Sequence, residues 1–159
     1  AGCTLNLIED SRFNFDRYIN ICKEHDLLRF ELEHPEYKYT NKKTLEFFKA
    51  NYGLKKEHVL SKQLVGGILV MENNSKVKMF FDTFFKIIDS DHNLITNKYT
   101  HEDNYDGFID HRYDQSILSL LSKVTGVGYI IPDESYPNNS KFQTWSDSVN
   151  FPFLATRSK

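Results

Sequence analysis

The chain has only two cysteines, Cys3 and Cys22, and they do not form a C-x-x-C pair. Two isolated thiols supply neither a disulfide framework nor the spacing of a zinc finger. Such cysteine usage suits a reducing compartment, so we expect a cytoplasmic location.

Long apolar runs are also missing. Stretches such as residues 64–71 are far shorter than the roughly 20 residues that a helix needs to cross a bilayer. No signal-peptide pattern opens the chain. We therefore expect no transmembrane segment, while a peripheral membrane contact stays open.

Neither sign of charge dominates. The formal net charge is -2, from 20 Lys and Arg against 22 Asp and Glu, and the basic residues are spread among the acidic ones. A surface that binds a nucleic-acid backbone needs a concentrated basic patch or stripe. We therefore expect no nucleic-acid partner.

Several common catalytic signatures are absent from the chain. It contains no G-x-x-x-x-G-K-[ST], no G-x-G-x-x-G, no G-x-S-x-G and no H-E-x-x-H. These absences argue against Walker-type phosphotransfer, a dinucleotide-binding fold, hydrolysis by a serine triad and zinc proteolysis.

What is present is the pattern of one layered α/β domain over residues 1–159. A chain of 159 residues with 40% hydrophobic residues is long enough for one domain with a hydrophobic core and too short for two domains. Helical and strand periodicities alternate, which favours a mixed sheet flanked by helices. The predicted strands are 28–33, with one wet face, 63–71 and 128–131. The predicted helices are 14–24, 44–52, 55–60, 74–88 and 114–124. We expect residues 89–107 to be an exposed loop and the tail from Asp133 to be irregular.

The helix predicted over 74–88 has the broadest apolar face in the sequence. Its apolar residues recur at three- and four-residue spacing, which is typical of a helix that covers a sheet. We expect Phe80, Phe84 and Ile88 to be buried against a sheet that contains residues 64–71.

Polar groups are densest at residues 110–116, directly before the apolar helical run 117–121. Either Asp110 or Asp114 could simply cap the helix, since a carboxylate satisfies unpaired N–H groups there. A cap needs only one carboxylate, however, and the stretch also holds His111, Arg112 and Gln115. Arg112 can hold a phosphate or carboxylate through two parallel hydrogen bonds. The cluster therefore indicates a polar or anionic ligand at the start of a helix.

A metal is a second use for the same cluster. His111 with Asp110 and Asp114 offers the oxygen ligands and one imidazole that Mg²⁺ or Mn²⁺ accepts. Because adjacent residues on a helix do not face one site, at most two of the three could share an ion.

A glycine pair, Gly66 and Gly67, follows Gln63 in the predicted strand 63–71. Glycine inside a strand marks a bulge, or a place where a ligand or another backbone comes close. The pair is therefore either a packing feature or one wall of a ligand site.

Four segments together resemble a known family. Residues 110–117 (DHRYDQSI), 1–6 (AGCTLN), 63–68 (QLVGGI) and 152–157 (PFLATR) look like the carboxy-terminal two thirds of a glycosyltransferase with a GT-A-type nucleotide-sugar fold. These relatives, from bacterial surface-polysaccharide synthesis and large DNA viruses, carry an H-R-x-D-Q-S segment. In them an Asp stands just before Ala-Gly-Cys, in the nucleotide-binding part. The resemblance thus implies that the chain continues a longer protein; a processed amino terminus is the other reading.

The resemblance implies transfer of a sugar from a nucleotide-sugar donor to a glycan acceptor, with a divalent cation, Mn²⁺ or Mg²⁺. It assigns a base or acceptor-binding role to Asp114 or Asp110, a metal or phosphate contact to His111 and a phosphate clamp to Arg112. Other substrate-binding candidates are Gln63, Gly66, Gly67, Gln115 and, on the acceptor side, Glu36 with Lys38 and Tyr39.

Two further readings stay open. The chain could be a non-catalytic carbohydrate- or protein-binding α/β module whose aromatic residues form a recognition face, or a purely structural domain fragment. The donor sugar, the acceptor, the stereochemistry and the oligomeric state are not encoded in any pattern we recognise.

Overall fold

The computed structural model describes residues 2–5, 9–96, 103–135 and 151–156. It is a mixed α/β fold with a small open mixed sheet and helices, as the sequence predicts at that level. The strands are β1 (Gly2–Leu5), β2 (Leu27–Pro35), β3 (Lys62–Leu64), β4 (Val70–Met71), β5 (Tyr129–Pro132) and β6 (Phe153–Thr156); the helices are α1 (Glu9–His25), α2 (Glu36–Tyr39), α3 (Lys42–Tyr52), α4 (Lys56–Leu60), α5 (Ser75–Ser90) and α6 (Tyr113–Thr125), with a 3-10 helix at His92–Ile95.

Strand β2 is the centre of the main sheet. It pairs in parallel with β5 and antiparallel with β3 and β4. Leu28 and Glu31 each have one partner in β5 and one in β4 or β3, so β3 and β4 lie end to end along the edge opposite β5. Strands β1 and β6 form a separate antiparallel pair that joins the two ends of the chain.

Two hydrophobic cores lie on opposite faces of this sheet. Leu28 and Phe30 of β2 pack with Tyr18 and Cys22 of α1. Leu27, which points the other way because side chains alternate along a strand, packs with α3, α5 and α6. The sheet is therefore covered by helices on both sides.

The charged face predicted for β2 is exposed only toward the end of the strand, where Glu33 is exposed and Glu31 is half-buried. Arg29 has 0% of its surface exposed and points toward α6, where it donates to Leu118 O at 3.3 Å and Ser122 Oγ at 3.0 Å. Burial lowers the pKa of the Arg29 guanidinium to about 10, which leaves it charged. The prediction of an exposed face therefore holds at Glu33 and fails at Arg29, because alternating polarity shows which face carries a charge and not where a helix covers it.

The strand predicted at 63–71 is interrupted. It forms β3 and β4, and residues 65–69 bulge between them. From the pair Glu31–Leu64 to the pair Leu28–Val70, the chain advances three residues in β2 and six in the opposite strand. Three extra residues therefore leave the ladder at the glycine pair, as glycine within a strand allows.

Local signals located most helix ends. Asn41 caps α3, where its side chain accepts from Thr44 N at 2.8 Å, and Gly53 ends the helix at φ 66°. Gly126 ends α6 with the same φ. The left-handed backbone conformation at these two positions favours glycine.

Other boundaries differ from the prediction. Helix α1 begins at Glu9, five residues before the predicted start, and α2 was not predicted. The expected loop at 89–107 contains the end of α5 and the 3-10 helix, and the tail contains β6; positions 97–102 and Trp145 lie outside the described residues.

The apolar face of α5 is buried, but chiefly by other helices. Phe80, Phe84 and Ile87 are buried in the cluster formed with α3, α6 and Leu94, whereas Ile88 is only partly buried. The expectation that this face packs against the sheet containing residues 64–71 is met in part, because Leu27 of that sheet and the partly buried Leu69 belong to the same cluster, although most of its members are helical. No helix within the described ranges combines the length and apolar character needed to cross a membrane.

Candidate functional site

The candidate site is the start of α6, where residues 110–115 meet the bulge at 65–69; we call it the α6 site. Backbone hydrogen bonds to α2 hold the approach to the helix. Ile109 N and Asp110 N donate to Lys38 O at 2.8 and 3.2 Å, and Arg112 N donates to Tyr39 O at 3.1 Å. The conformation of the segment is thus imposed by α2, which lies 70 residues away in sequence.

The backbone at Tyr113 is strained. This first residue of α6 has φ 47°, in the left-handed region that costs a non-glycine residue about 1–2 kcal/mol. Such strain persists only where the surroundings enforce it, and it occurs often at functional sites. The strained residue stands between Arg112 and Asp114.

His111 is a buried anchor. Its exposed fraction is 1%; Nδ1 accepts from Asn41 N at 3.2 Å, and Nε2 lies 2.7 Å from Leu94 O, to which it donates. Burial lowers the pKa of His111, which favours this neutral form. Because both ring nitrogens are engaged, neither offers a lone pair to a metal in this arrangement.

Arg112 lies over an aromatic ring. Its guanidinium carbon is 4.1 Å from the centroid of Tyr39, and the ring of His34 lies 4.9 Å from the same centroid. Burial and the nearby charges of Arg112 and Lys38 lower the pKa of His34, despite the opposing effect of Glu33. Arg112 and His34 therefore both lie beside the ring of Tyr39. Because the lowered pKa keeps His34 neutral near pH 7, the positive charge against this ring is that of Arg112.

Both candidate carboxylates are exposed. Asp110 Oδ1 accepts from His111 N at 2.8 Å, and Asp114 lies in the first turn of α6. The N-cap residue of α6 is Arg112, which makes no side-chain capping bond. Asp110 is therefore not the helix cap, and solvent reaches both aspartates.

Two segments singled out in the sequence, 63–68 and 110–117, meet at Gly66. Gln115 Oε1 accepts from Gly66 N at 3.2 Å, and a Cβ added to Gly66 would lie 2.7 Å from Gln115 Cβ. This position requires glycine because the helix is so close. Gly67 is exposed, and a Cβ there would have nothing within 4 Å.

Glu36 and Gln63 lie behind this surface. Each has 0% of its surface exposed, and Gln63 Nε2 donates to Glu36 Oε1 at 2.9 Å. The resemblance implied substrate contacts for both, but the structure buries both within a hydrogen-bond network. Gln115 joins that network because its Nε2 donates to Gln63 Oε1 at 2.8 Å.

Sequence reasoning missed one polar stripe of α6. Ser119 donates to Glu36 at 2.5 Å, and Lys123 forms an ion pair with the same carboxylate at 2.7 Å. Gln115, Ser119 and Lys123 are four residues apart and so share a helix face. That spacing was readable within an otherwise apolar helix, although it does not reveal the partner.

The described residues do not build a metal site. Across the ranges that the structure describes, no group of three His, Cys, Asp or Glu side chains could hold an ion. With both nitrogens of His111 engaged, the donor set expected around it does not fit a divalent cation.

Two cavities lie elsewhere, beside α3. One of about 430 Å³ is lined by Lys42, Lys43, Glu46, Asp103 and Asn104. The other, of about 280 Å³, lies over Leu45, Leu54 and Val59 with lysines at its rim. Neither cavity is lined by residues of the α6 site.

The two glycines should respond differently to the same substitution. Gly66→Ala forces Cβ into Gln115 and should lower the free energy of unfolding by about 1–3 kcal/mol, typical of overpacking. Gly67→Ala has space and should change it by less than about 0.5 kcal/mol. Urea unfolding of both variants provides the comparison, and equal stability would contradict the close contact.

His111 should make stability depend on pH below neutrality. Its folded pKa lies below the ordinary value of about 6.5, so the unfolded chain takes up a proton that the folded chain does not. The contribution is complete above about pH 7 and declines as pH falls through 6.5, by up to about 1.4 kcal/mol per pH unit. Unfolding curves from pH 7 to 5.5 should show a shallower slope for His111→Gln.

Other groups can be separated from that effect. His34 has a lowered pKa as well, so both slopes are best measured in a His34→Gln background. Hydrogen bonding to Lys43 lowers the pKa of Asp91 to about 2, and stability from this carboxylate is lost only at more acidic pH. Equal slopes with and without His111 would contradict its buried neutral state.

No protein-family model, curated protein or solved structure matches the chain. Functional inference therefore depends on the residues and their geometry.

Proposed function

We propose that the chain is part of a cytoplasmic glycosyltransferase with a GT-A-like fold, which transfers a sugar from a nucleotide-sugar donor to a glycan acceptor in polysaccharide biosynthesis. The α6 site is the part of this enzyme that handles the leaving phosphate and the acceptor. The proposal starts from the motif resemblance and is supported by the geometry below.

One observation carries the proposal. Segments 63–68 and 110–117, which the resemblance picked out separately, meet through the bond from Gly66 N to Gln115 Oε1. The same contact permits no side chain at Gly66. Segments 1–6 and 152–157 also meet, since β1 pairs with β6. Motifs distant in sequence thus come together in two pairs, and the pair that meets at Gly66 forms the α6 site.

The charges around the site suit a diphosphate leaving group. Arg112 lies over the ring of Tyr39 with a planar fork of donors, and Lys38 is close enough to lower the pKa of His34 beside the same ring. The amino terminus of α6 adds a partial positive charge. Negative charge that develops on the departing phosphate would be stabilised there.

An exposed carboxylate at the same helix start supplies the acceptor chemistry. In the proposed step the acceptor hydroxyl oxygen bonds to the anomeric carbon while the bond from that carbon to the phosphate oxygen breaks. The hydroxyl proton passes to a carboxylate, for which we propose Asp114, with Asp110 as the acceptor-binding group. The nucleoside diphosphate leaves with the electron pair of the broken bond.

The divalent cation implied by the resemblance finds no fitting ligand set among the described residues, and no step is derived through it. A cation in this enzyme would need ligands other than His111.

A donor screen on the full-length protein tests the proposal. We expect one nucleotide sugar, with or without Mn²⁺, to raise the melting temperature and to release its nucleoside diphosphate when a glycan acceptor is added. Gly67→Val should abolish this binding while leaving the free protein equally stable, because Gly67 borders the site but contacts no neighbour. Failure of every nucleotide sugar to bind, with glycan binding retained, would instead support the non-catalytic module.

A further inference from the structure

We propose that Glu36 and Gln63 are positioning residues, which fix the bulge of the α6 site through a directional relay of two amides. The relay runs from the Glu36 carboxylate through Gln63 and Gln115 to Gly66 N. Its structural part stands alone, whereas its part in sugar transfer rests on the proposed function.

The relay starts at a fully satisfied carboxylate. Glu36 Oε1 accepts from Thr40 Oγ1 at 2.6 Å and from Gln63 Nε2 at 2.9 Å. Its Oε2 accepts from Ser119 Oγ at 2.5 Å and from Lys123 Nζ at 2.7 Å. An ionised carboxylate can only accept, so every group that faces it must present a donor.

That requirement fixes the orientation of the side-chain amides of Gln63 and Gln115. Gln63 must turn its NH₂ toward Glu36, which leaves its oxygen toward Gln115. Gln115 must then donate to that oxygen, at 2.8 Å, which leaves its own oxygen to accept from Gly66 N at 3.2 Å. Flipping either amide would oppose two donors or two acceptors in a buried setting, where unpaired groups are costly.

The relay matters because of what it holds. Val65 N donates to Phe30 O at 2.8 Å, and Val65 O accepts from Arg29 Nη2 at 3.0 Å. Gly66 N is the next donor along the bulge, and its hydrogen bond goes to Gln115 Oε1 at the end of the relay. Gln115 directly follows Asp114, so one side chain links Gly66 of the bulge to the helix turn that carries the proposed base.

The test replaces Gln63 by methionine, which has similar volume but no amide. We expect hydrogen exchange at the Gly66 amide to accelerate about tenfold, as the loss of one hydrogen bond predicts. The Leu64 amide, held by Ser119 Oγ at 2.9 Å, should keep its protection. In the full-length enzyme, kcat should fall about 10- to 100-fold with little change in the KM for the donor, because the reacting groups are misplaced.

Thr44→Val is the matched control. It removes another buried hydroxyl, which donates to Leu94 O at 3.3 Å, without touching the relay. It should leave both Gly66 exchange and kcat unchanged even if it lowers stability. If Gln63→Met does not fold, Gln115→Met breaks the same relay from its half-buried end and is judged on the same exchange measurement.

The possible outcomes test the existence of the relay and the proposed enzymatic function separately. Unchanged Gly66 exchange in a folded relay variant would overturn the relay whether or not the protein transfers sugar. Faster exchange with wild-type kcat would overturn its positioning role. An inactive wild-type enzyme would count against the proposed function, while the exchange result would still decide whether the relay exists.

Discussion

Replacing Asp114 by asparagine is expected to slow sugar transfer about 10²- to 10³-fold in the full-length protein. The substitution keeps the size of the side chain but removes its charge and its ability to take a proton. Asp114 is exposed in the first turn of α6, so stability should change by less than about 1 kcal/mol, the scale of a helix-dipole interaction. Steady-state rates and melting temperature measure the two effects separately.

Three further substitutions define the result. Asp110→Asn tests the other carboxylate, and the larger rate loss identifies the base. Asp106→Asn, on the exposed chain ahead of the site, should leave the rate unchanged. Arg112→Lys keeps the charge but loses the planar fork and the stacking on Tyr39, so it should impair donor binding. Wild-type rates in Asp114→Asn and Asp110→Asn together would remove both carboxylates from the mechanism.

Helix ends were predictable from sequence where a single residue determines them. Asn41 and Gly53 bound α3, and Gly126 ends α6, through capping bonds and backbone angles that involve only neighbouring residues. The interruption at Gly66 could be suspected but not located. Its size depends on Gln115 from another element, and hydrophobic periodicity carries no information about such a partner.

The residue types of the site were predictable from the sequence, but the burial of their side chains was not. His111, Glu36 and Gln63 are residue types that often bind ligands, but in the structure all three form hydrogen bonds with other groups of the protein. The type of a polar residue does not show whether its side chain binds a ligand or a buried backbone group. Ser119 and Lys123 showed the reverse: they resemble ordinary surface positions of a helix, yet they bind the most deeply buried carboxylate.

Lys123→Met should lower the free energy of unfolding by about 3–5 kcal/mol, the usual cost of breaking a buried ion pair from one side. The Lys123 side chain is 6% exposed and that of Glu36 is 0% exposed, so solvent cannot replace the lost ammonium. Hydroxyls of Thr40 and Ser119 would still donate to the carboxylate but would not neutralise it. Urea unfolding with an unchanged m value gives the measurement.

Two comparisons show whether the loss comes from an uncompensated charge. The double variant Glu36→Gln/Lys123→Met retains no buried charge at this position, so it should be more stable than Lys123→Met alone. Lys78→Met removes the exposed pair with Asp82, whose side chains are 74% and 51% exposed, and should cost at most about 1 kcal/mol. If Lys123→Met costs no more than Lys78→Met, the Glu36 carboxylate does not depend on its counter-ion, and it loses its place as the fixed start of the amide relay.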